Sequence, residues 1–258
     1  MVNQIRLNIL GSSHVLTVQG EARLYSKAVA VLAYLALSGR TTRRLLADLL
    51  WDGAPDGLNN VSATRTHLIA ELGDGVLVST PETLELGADV RCDALEWLHD
   101  ASQASVELWR GDLLEELKLR EWRHGLGGEF QDWLEDVRQR HRTERLDRAA
   151  RYAQDDLRQG ELSSAQYWLE RATADVLDPR EEASRCLMLV HGLARNAEAA
   201  VRVFQDLQHS LRQSLDIEPT AESRHALELA RSGDVAACRA ALLLPALSST
   251  SSDRKSVV

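Results

Sequence analysis

Three closely spaced alanines, Ala197, Ala199 and Ala200, run into an apolar stripe of Phe204, Leu207 and Leu211, and the segment closes on Asp216-Ile217-Glu218-Pro219. Small side chains let a second helix lie close, and the stripe continues one face of an amphipathic helix. The run Asp178-Pro179-Arg180-Glu181-Glu182 precedes it by the length of one short helix, with a break at Leu193–Asn196 between the two. Two amphipathic helices joined across such a break form a helical hairpin, the unit of tetratricopeptide-like arrays. Pro179 is expected at the first helical position, with Asp178 as an acidic cap and Glu181 and Glu182 in the first turn.

The same period recurs through the C-terminal part. Phe130, Trp133, Leu134 and Val137 sit on a long helix that continues past Leu146 and Tyr152 to Leu157 and ends at Gly160. Residues 163–176 repeat the pattern with Ala165, Trp168, Leu169, Ala172 and Val176, and Leu187, Met188 and Leu189 belong to the helix after Pro179. Thr220–Ser232 and Val235–Leu244 supply two more helices. Ser248-Ser249-Thr250-Ser251-Ser252-Asp253-Arg254-Lys255 reads as a disordered tail. Trp109, Trp122, Trp133 and Trp168 read as packing between hairpins. Glu115-Glu116 and Asp132, Glu135 and Asp136 read as solvated faces.

The N-terminal part is built differently. Residues 4–10 alternate polar and apolar before Gly11-Ser12-Ser13, which predicts a strand and a turn. Val15 to Val18 predict a second strand and Ala22–Tyr25 a short third. Lys27 to Leu37 is almost wholly apolar and too long for a buried strand, so it predicts a helix capped by Ser26 and stopped at Gly39. Thr42 caps a second helix, Arg43 to Trp51, with Leu45, Leu46, Leu49 and Leu50 facing inward. After the loop Asp52–Gly57, a third helix runs from about Asn59 to Leu72 and ends at Gly73. Val76–Thr80 and Thr83–Leu86 predict a hairpin, and Asp93 opens the next helix. Three strands, three helices and a hairpin are the parts of a winged helix-turn-helix.

Composition narrows the chemistry. The chain of 258 residues can bury two ordinary cores. Its net charge of −9 and pI near 5.4 mean that any affinity for a polyanion must come from a local patch. Cys92, Cys186 and Cys238 are odd in number and far apart, which points to a reduced cytoplasmic setting without a disulfide framework. No apolar run approaches the roughly 20 residues that span a bilayer. No phosphate-binding loop, nucleophile elbow or zinc-binding helix is present, and the histidines have no ligand spacing, so no catalysis, cofactor or metal is expected.

In order and spacing, the landmarks Ala33-Tyr34-Leu35-Ala36-Leu37, Leu46-Ala47-Asp48-Leu49-Leu50-Trp51 and Trp109-Arg110-Gly111-Asp112-Leu113-Leu114 resemble those of the Streptomyces antibiotic regulatory protein family. So do Phe130, Trp133 and Arg138, Asp178-Pro179-Arg180-Glu181, and Glu218-Pro219; together these cover roughly residues 4–232. The resemblance implies a mainly α chain. An OmpR-like winged helix-turn-helix with a small β-sheet and a wing hairpin (residues 1–92) precedes an all-α tetratricopeptide-like bacterial transcriptional activator domain (93–244), with a disordered tail at 245–258. It further implies a transcription regulator, an activator, that binds promoter repeats through helix 59–72. The helical domain would then serve homodimerisation or contact with RNA polymerase.

In such a fold the third helix enters the major groove. Asn59, Asn60, Ser62, Arg65, Thr66 and His67 are then the base-contact candidates, since Asn can bridge adenine and Arg guanine. Arg40, Thr41, Thr42, Arg43 and Arg44 are the phosphate-contact candidates beside the turn. The family usually places several arginines on this helix, whereas here Arg65 is followed by Ile69, Ala70 and Glu71. Residues 1–95 carry 8 basic against 10 acidic side chains. The alternative is therefore a protein-interaction scaffold whose winged helix has lost DNA binding.

Overall fold

The computed structural model describes residues 5–100, 102, 108–115 and 127–243. Trp122, Glu116 and the tail at 245–258 lie outside the described residues. By packing, the chain divides into two compact units, residues 1–142 and 143–258.

In the first unit, β1 (Ile5–Asn8) pairs antiparallel with β2 (His14–Thr17), which pairs with β3 (Gly20–Glu21). On the other side β1 pairs in parallel with β7 (Val90–Cys92), giving the order β3-β2-β1-β7. The expected strand at Ala22–Tyr25 is replaced by β3, because only Gly20 and Glu21 keep register with Thr17 and Leu16. Beyond them Ala22 donates to Val15, and Tyr25 already accepts from Ala28 and Val29. Tyr25 is thus the cap of α1 (Ser26–Ser38), and Ser26 is its first residue rather than its cap. Residues Ala28 to Leu35 of α1 are buried on every side, as an all-apolar helix must be.

The second sheet has the order β4-β6-β5, from β4 (Thr41–Thr42), β5 (Leu77–Ser79) and β6 (Thr83–Leu86). Between β4 and β5 lie α2 (Arg43–Leu50) and α3 (Gly57–Leu72). Thr42 does cap α2, accepting from the Leu45 backbone N–H. Leu46, Leu49 and Leu50 are buried, but Leu45 points outward at 41% exposure, because it falls off the stripe that the other three share. Together these elements form a winged helix-turn-helix, in which β5 and β6 are the wing.

The first unit continues beyond β7. Asp93 opens α4 (Asp93–His99), is fully buried, and accepts from the backbone N–H groups of Ile9 (2.8 Å) and Leu10 (3.2 Å) at the end of β1. This bonding holds α4 on the N-terminal sheet. The Trp109–Leu114 landmark lies against the same strand end: Leu114 N–H donates to Ile9 O at 2.7 Å, and Gly11 N–H to Asp112 O at 2.9 Å. A Cβ on Gly111 would sit 2.9 Å from Gly11 Cα, so the landmark glycine permits a close approach of two backbones. Arg138 of α5 (Gly128–Gln159) donates to Leu113 O and Leu114 O, and Arg142 pairs with Asp112. Trp97 stacks on His141 at 5.5 Å, with Trp109 beside both.

The second unit is helical throughout its described residues: the end of α5, then α6 (Leu162–Ala172), α7 (Glu181–Leu193), α8 (Ala197–Leu215), α9 (Ala221–Ser232) and α10 (Val235–Leu243). Gly160, at φ +81, ends α5 as the sequence implies. The hairpin of α7 and α8 breaks at Ala194–Asn196, with Asn196 capping α8 through Ala199 N–H. Ala200 is fully buried, as close helix packing requires. Two expectations change. Pro179 precedes α7 by two residues and Asp178 does not cap it; Asp178 instead holds Arg180 at 2.9 Å, and Arg180 also pairs with Asp147. Val176 lies beyond the end of α6, at 43% exposure, since Thr173 already closes that helix.

Candidate nucleic-acid interface

Helix α3 turns Val61, Thr64, Leu68 and Leu72 into the core. The opposite stripe consists of Asn59, Ser62, Ala63, Thr66 and Ala70, all exposed. It carries no charge. Ser62 and Thr66 donate their hydroxyls to the carbonyls of Leu58 and Ser62, one turn back, while their oxygens still face outward as acceptors. Asn60 is half-buried at the stripe's edge.

The remaining two base-contact candidates lie on the flanks. Arg65 is half-buried, and its Nε donates to the Ser79 hydroxyl at the end of β5, 2.9 Å away. His67 turns to the other side. Its ring lies 4.9 Å from that of Tyr25, whose hydroxyl donates to Thr64 at 2.7 Å. The His67 Nε2 is enclosed without a hydrogen-bond partner. That packing removes it from the outward face.

The phosphate-contact candidates also separate. Arg40 and Arg44 are exposed, with Arg40 Nε donating to Thr83 of the wing at 3.2 Å. Arg43 is half-buried, its backbone N–H donates to Glu82 O, and its Nε is enclosed without a partner. Thr42 is exposed but its hydroxyl oxygen caps α2. Thr41 is only 5% exposed and donates its hydroxyl to Gly39 O, so it is directed into the protein.

The wing is what gathers the cations. Ser79 on β5 holds Arg65, Thr83 on β6 holds Arg40, and Glu82 at the turn binds the backbone at the start of α2. The turn itself is braced by the Thr80 hydroxyl, which accepts from the N–H groups of Glu82 and Thr83. Helical spacing from Asn59 identifies Ala63 and Ala70 on the outward stripe. Ser79 and Thr83 carry no such signal, because their arginine partners lie 14 and 43 residues away in sequence.

Among the described residues no group of three or more His, Cys, Asp or Glu side chains is placed to hold a metal ion. No helix there is long and apolar enough to cross a membrane. Burial pushes the Cys92 thiol up to about 12 and the Cys186 thiol up to about 11, which leaves both protonated and unreactive near neutrality.

No curated protein matches this sequence. In fold, the chain is similar to EmbR of Mycobacterium tuberculosis, a structure determined in complex with a low-affinity phosphopeptide. The TM-score is 0.62 at 20% identity, over 93% of this chain and 68% of that one. The profile of the bacterial transcriptional activator domain matches residues 85–229, beginning in β6 and ending within α9. That match spans more than half of the sequence, and the chain belongs to the bacterial transcriptional activator domain family.

Proposed function

We propose that this regulator is an activator that binds promoter DNA through α3, with β5 and β6 beside the phosphate backbone. The observation that carries the reading is the wing's hold on Arg65 and Arg40, which gathers two cations at the wing, one of them on the flank of the outward helix face. Asn59, Ser62 and Thr66 supply neutral donors and acceptors suited to base edges. Arg65 keeps its two terminal nitrogens for a guanine, and Arg40 and Arg44 reach for phosphates. One arginine on one helix gives weak binding, so two DNA-bound units on repeated half-sites would supply the rest of the affinity. The helical unit is the proposed seat of that dimerisation or of contact with RNA polymerase, in a cytoplasmic setting.

Fluorescence anisotropy of the full chain with promoter fragments over a salt series tests this. Binding that falls steeply with salt and weakens in Arg65→Ala supports DNA recognition. No binding at low salt would remove it.

A second reading is favoured by the uncharged stripe itself. Asn59, Ser62, Ala63, Thr66 and Ala70 form a small, neutral surface that suits a protein partner as readily as DNA. In that reading the chain is an interaction scaffold, and retention of a protein without DNA in a salt-insensitive complex would support it.

A further inference from the structure

A groove of about 640 Å³ runs between α6, α7 and α8 in the second unit. Its floor departs from ordinary packing. Ser184 and His191, two turns apart on one face of α7, are 4% and 8% exposed, and Ser210 of α8 is 7% exposed. Buried polar side chains are normally hydrogen-bonded. Among the described residues these three have no side-chain hydrogen bond, yet all line the groove, and none is an enclosed orphan like His67 or Arg43. Their polar atoms therefore open into the groove. Burial pushes the His191 imidazole below its ordinary value, against the pull of Glu170, so the ring is neutral and offers one donor and one acceptor.

The walls add an apolar surface and a sign of charge. Val203 and Leu207 of α8 and Leu187 of α7 line the groove at helical spacing with the polar floor. Both rim arginines already have carboxylate partners: Arg202 pairs with Glu198 at 2.6 Å, and Arg180 with Asp147 and Asp178. Glu170, Asp175 and Asp206 also line the groove, and none of them has a cation partner among the described residues. The groove is thus net acidic, with unpaired hydrogen-bonding groups beneath an apolar wall.

We propose that this groove binds an extended, basic segment of a partner protein. The backbone of such a segment would satisfy His191, Ser184 and Ser210, its small or aliphatic side chains would meet Val203 and Leu207, and its Lys or Arg residues would meet Glu170 and Asp206. An extended strand fits better than a helix here, because an extended strand presents the backbone N–H and C=O groups that the floor lacks, whereas a helix has spent its own. This site goes beyond the regulator reading and does not depend on DNA binding by α3.

The test is selection of random short peptides displayed on phage against the immobilised full chain, without DNA, followed by anisotropy with the enriched peptides. Enriched sequences should carry Lys or Arg around small and aliphatic residues. Their affinity should fall by about tenfold or more in Asp206→Lys and in Glu170→Lys, two exposed positions whose reversal leaves the melting temperature unchanged. His191→Phe, which keeps the ring volume but removes the nitrogens, should weaken the same peptides. No enrichment, enrichment of acidic sequences, or binding indifferent to all three variants would overturn the proposal. DNA binding by the same Asp206→Lys protein, measured in parallel, should remain at the wild-type level; its loss would mean that the substitution acts outside the groove, and would count against the site.

Discussion

The Nε of Arg65 is bound to the hydroxyl of Ser79 at 2.9 Å, so the guanidinium of the single arginine on α3 is oriented by the wing rather than by the helix that carries it. Its two terminal nitrogens have no hydrogen bond among the described residues and form the fork that would address a base. Arg65→Ala should cost about 1–3 kcal/mol on a preferred site and flatten the discrimination between sites. Ser79→Ala should give a smaller loss of the same kind, because it frees the arginine without removing it. Competition between matched and scrambled promoter fragments measures both. Equal discrimination by wild type and Arg65→Ala would take Arg65 out of base readout.

The arginines at the start of the helix-turn-helix divide by exposure. Arg40→Ala and Arg44→Ala should each weaken binding to every sequence and reduce the slope of log K against log salt by about 0.9. Arg43, half-buried against the wing turn, should change stability more than the slope. A salt series on the three variants separates these effects, and a slope unchanged in both Arg40→Ala and Arg44→Ala would exclude their phosphate contacts.

Asp93 joins the end of β1 to the Trp109–Leu114 segment. Burial pushes its carboxyl above the ordinary value, opposed by N–H groups from Ile9, Leu10 and Ala94 and by Arg110 at 2.6 Å. Asp93→Ala leaves two strand-end N–H groups unsatisfied and should cost about 2–4 kcal/mol. Arg110 is 47% exposed, so Arg110→Ala should cost less than Asp93→Ala. Urea denaturation gives both numbers, and the reverse ranking would contradict the bonding described.

Glu181 plays the corresponding part in the second unit. Burial raises its carboxyl, but hydrogen bonds from the Ser223 hydroxyl and from the N–H and hydroxyl of Thr220, each 2.7 Å, outweigh that and hold it below its ordinary value. A depressed folded-state value means that the carboxylate stabilises the fold above the unfolded value, near 4.3, and loses its contribution as pH falls through the folded one. The melting-temperature gap between wild type and Glu181→Gln should hold steady down to about pH 5 and shrink below about pH 4. A gap that grew on acidification would refute the direction of the shift. Asp93 has the opposite sign, its shift favouring the fold at low pH and losing effect as pH rises through its raised value.

Gly192 marks a close helix crossing in the second unit. A Cβ there would lie 2.7 Å from Cys238 Sγ and 2.9 Å from Ala230 Cα. Gly192→Ala should destabilise by about 1–3 kcal/mol through overpacking. The double variant with Cys238→Ala should recover part of this, since the Ala230 backbone stays in place. Thermal denaturation of the single and double variants decides it.

The winged helix-turn-helix and the α7–α8 hairpin were legible because their evidence is local. The apolar run at Ala28–Leu35 fits only a buried helix, and the alanines at 197–200 fit only a close one. Boundaries were less legible where cap and first residue exchange roles, as at Tyr25 and Ser26, or where charge serves a distant partner, as with Asp178 and Arg180. The site was legible as a helix face but not as a set of contacts. Nothing near Arg65 in sequence announces Ser79, and nothing near Thr41 announces that its hydroxyl turns inward to Gly39. The role of Arg110 and Arg138 in the family landmarks also lies in pairings that helical periodicity does not report.

The neutral stripe on α3 has a consequence for how such a regulator would find its target. The stripe itself carries no charge and the chain's net charge is −9, so electrostatic steering toward a duplex would be weak, and arrival rates would stay nearer about 10⁵–10⁶ M⁻¹s⁻¹ than the steered limit. The bulk genome would then sequester few copies. Most molecules would remain unbound, and promoter occupancy would follow copy number almost directly, so that synthesis of the protein itself becomes the dial.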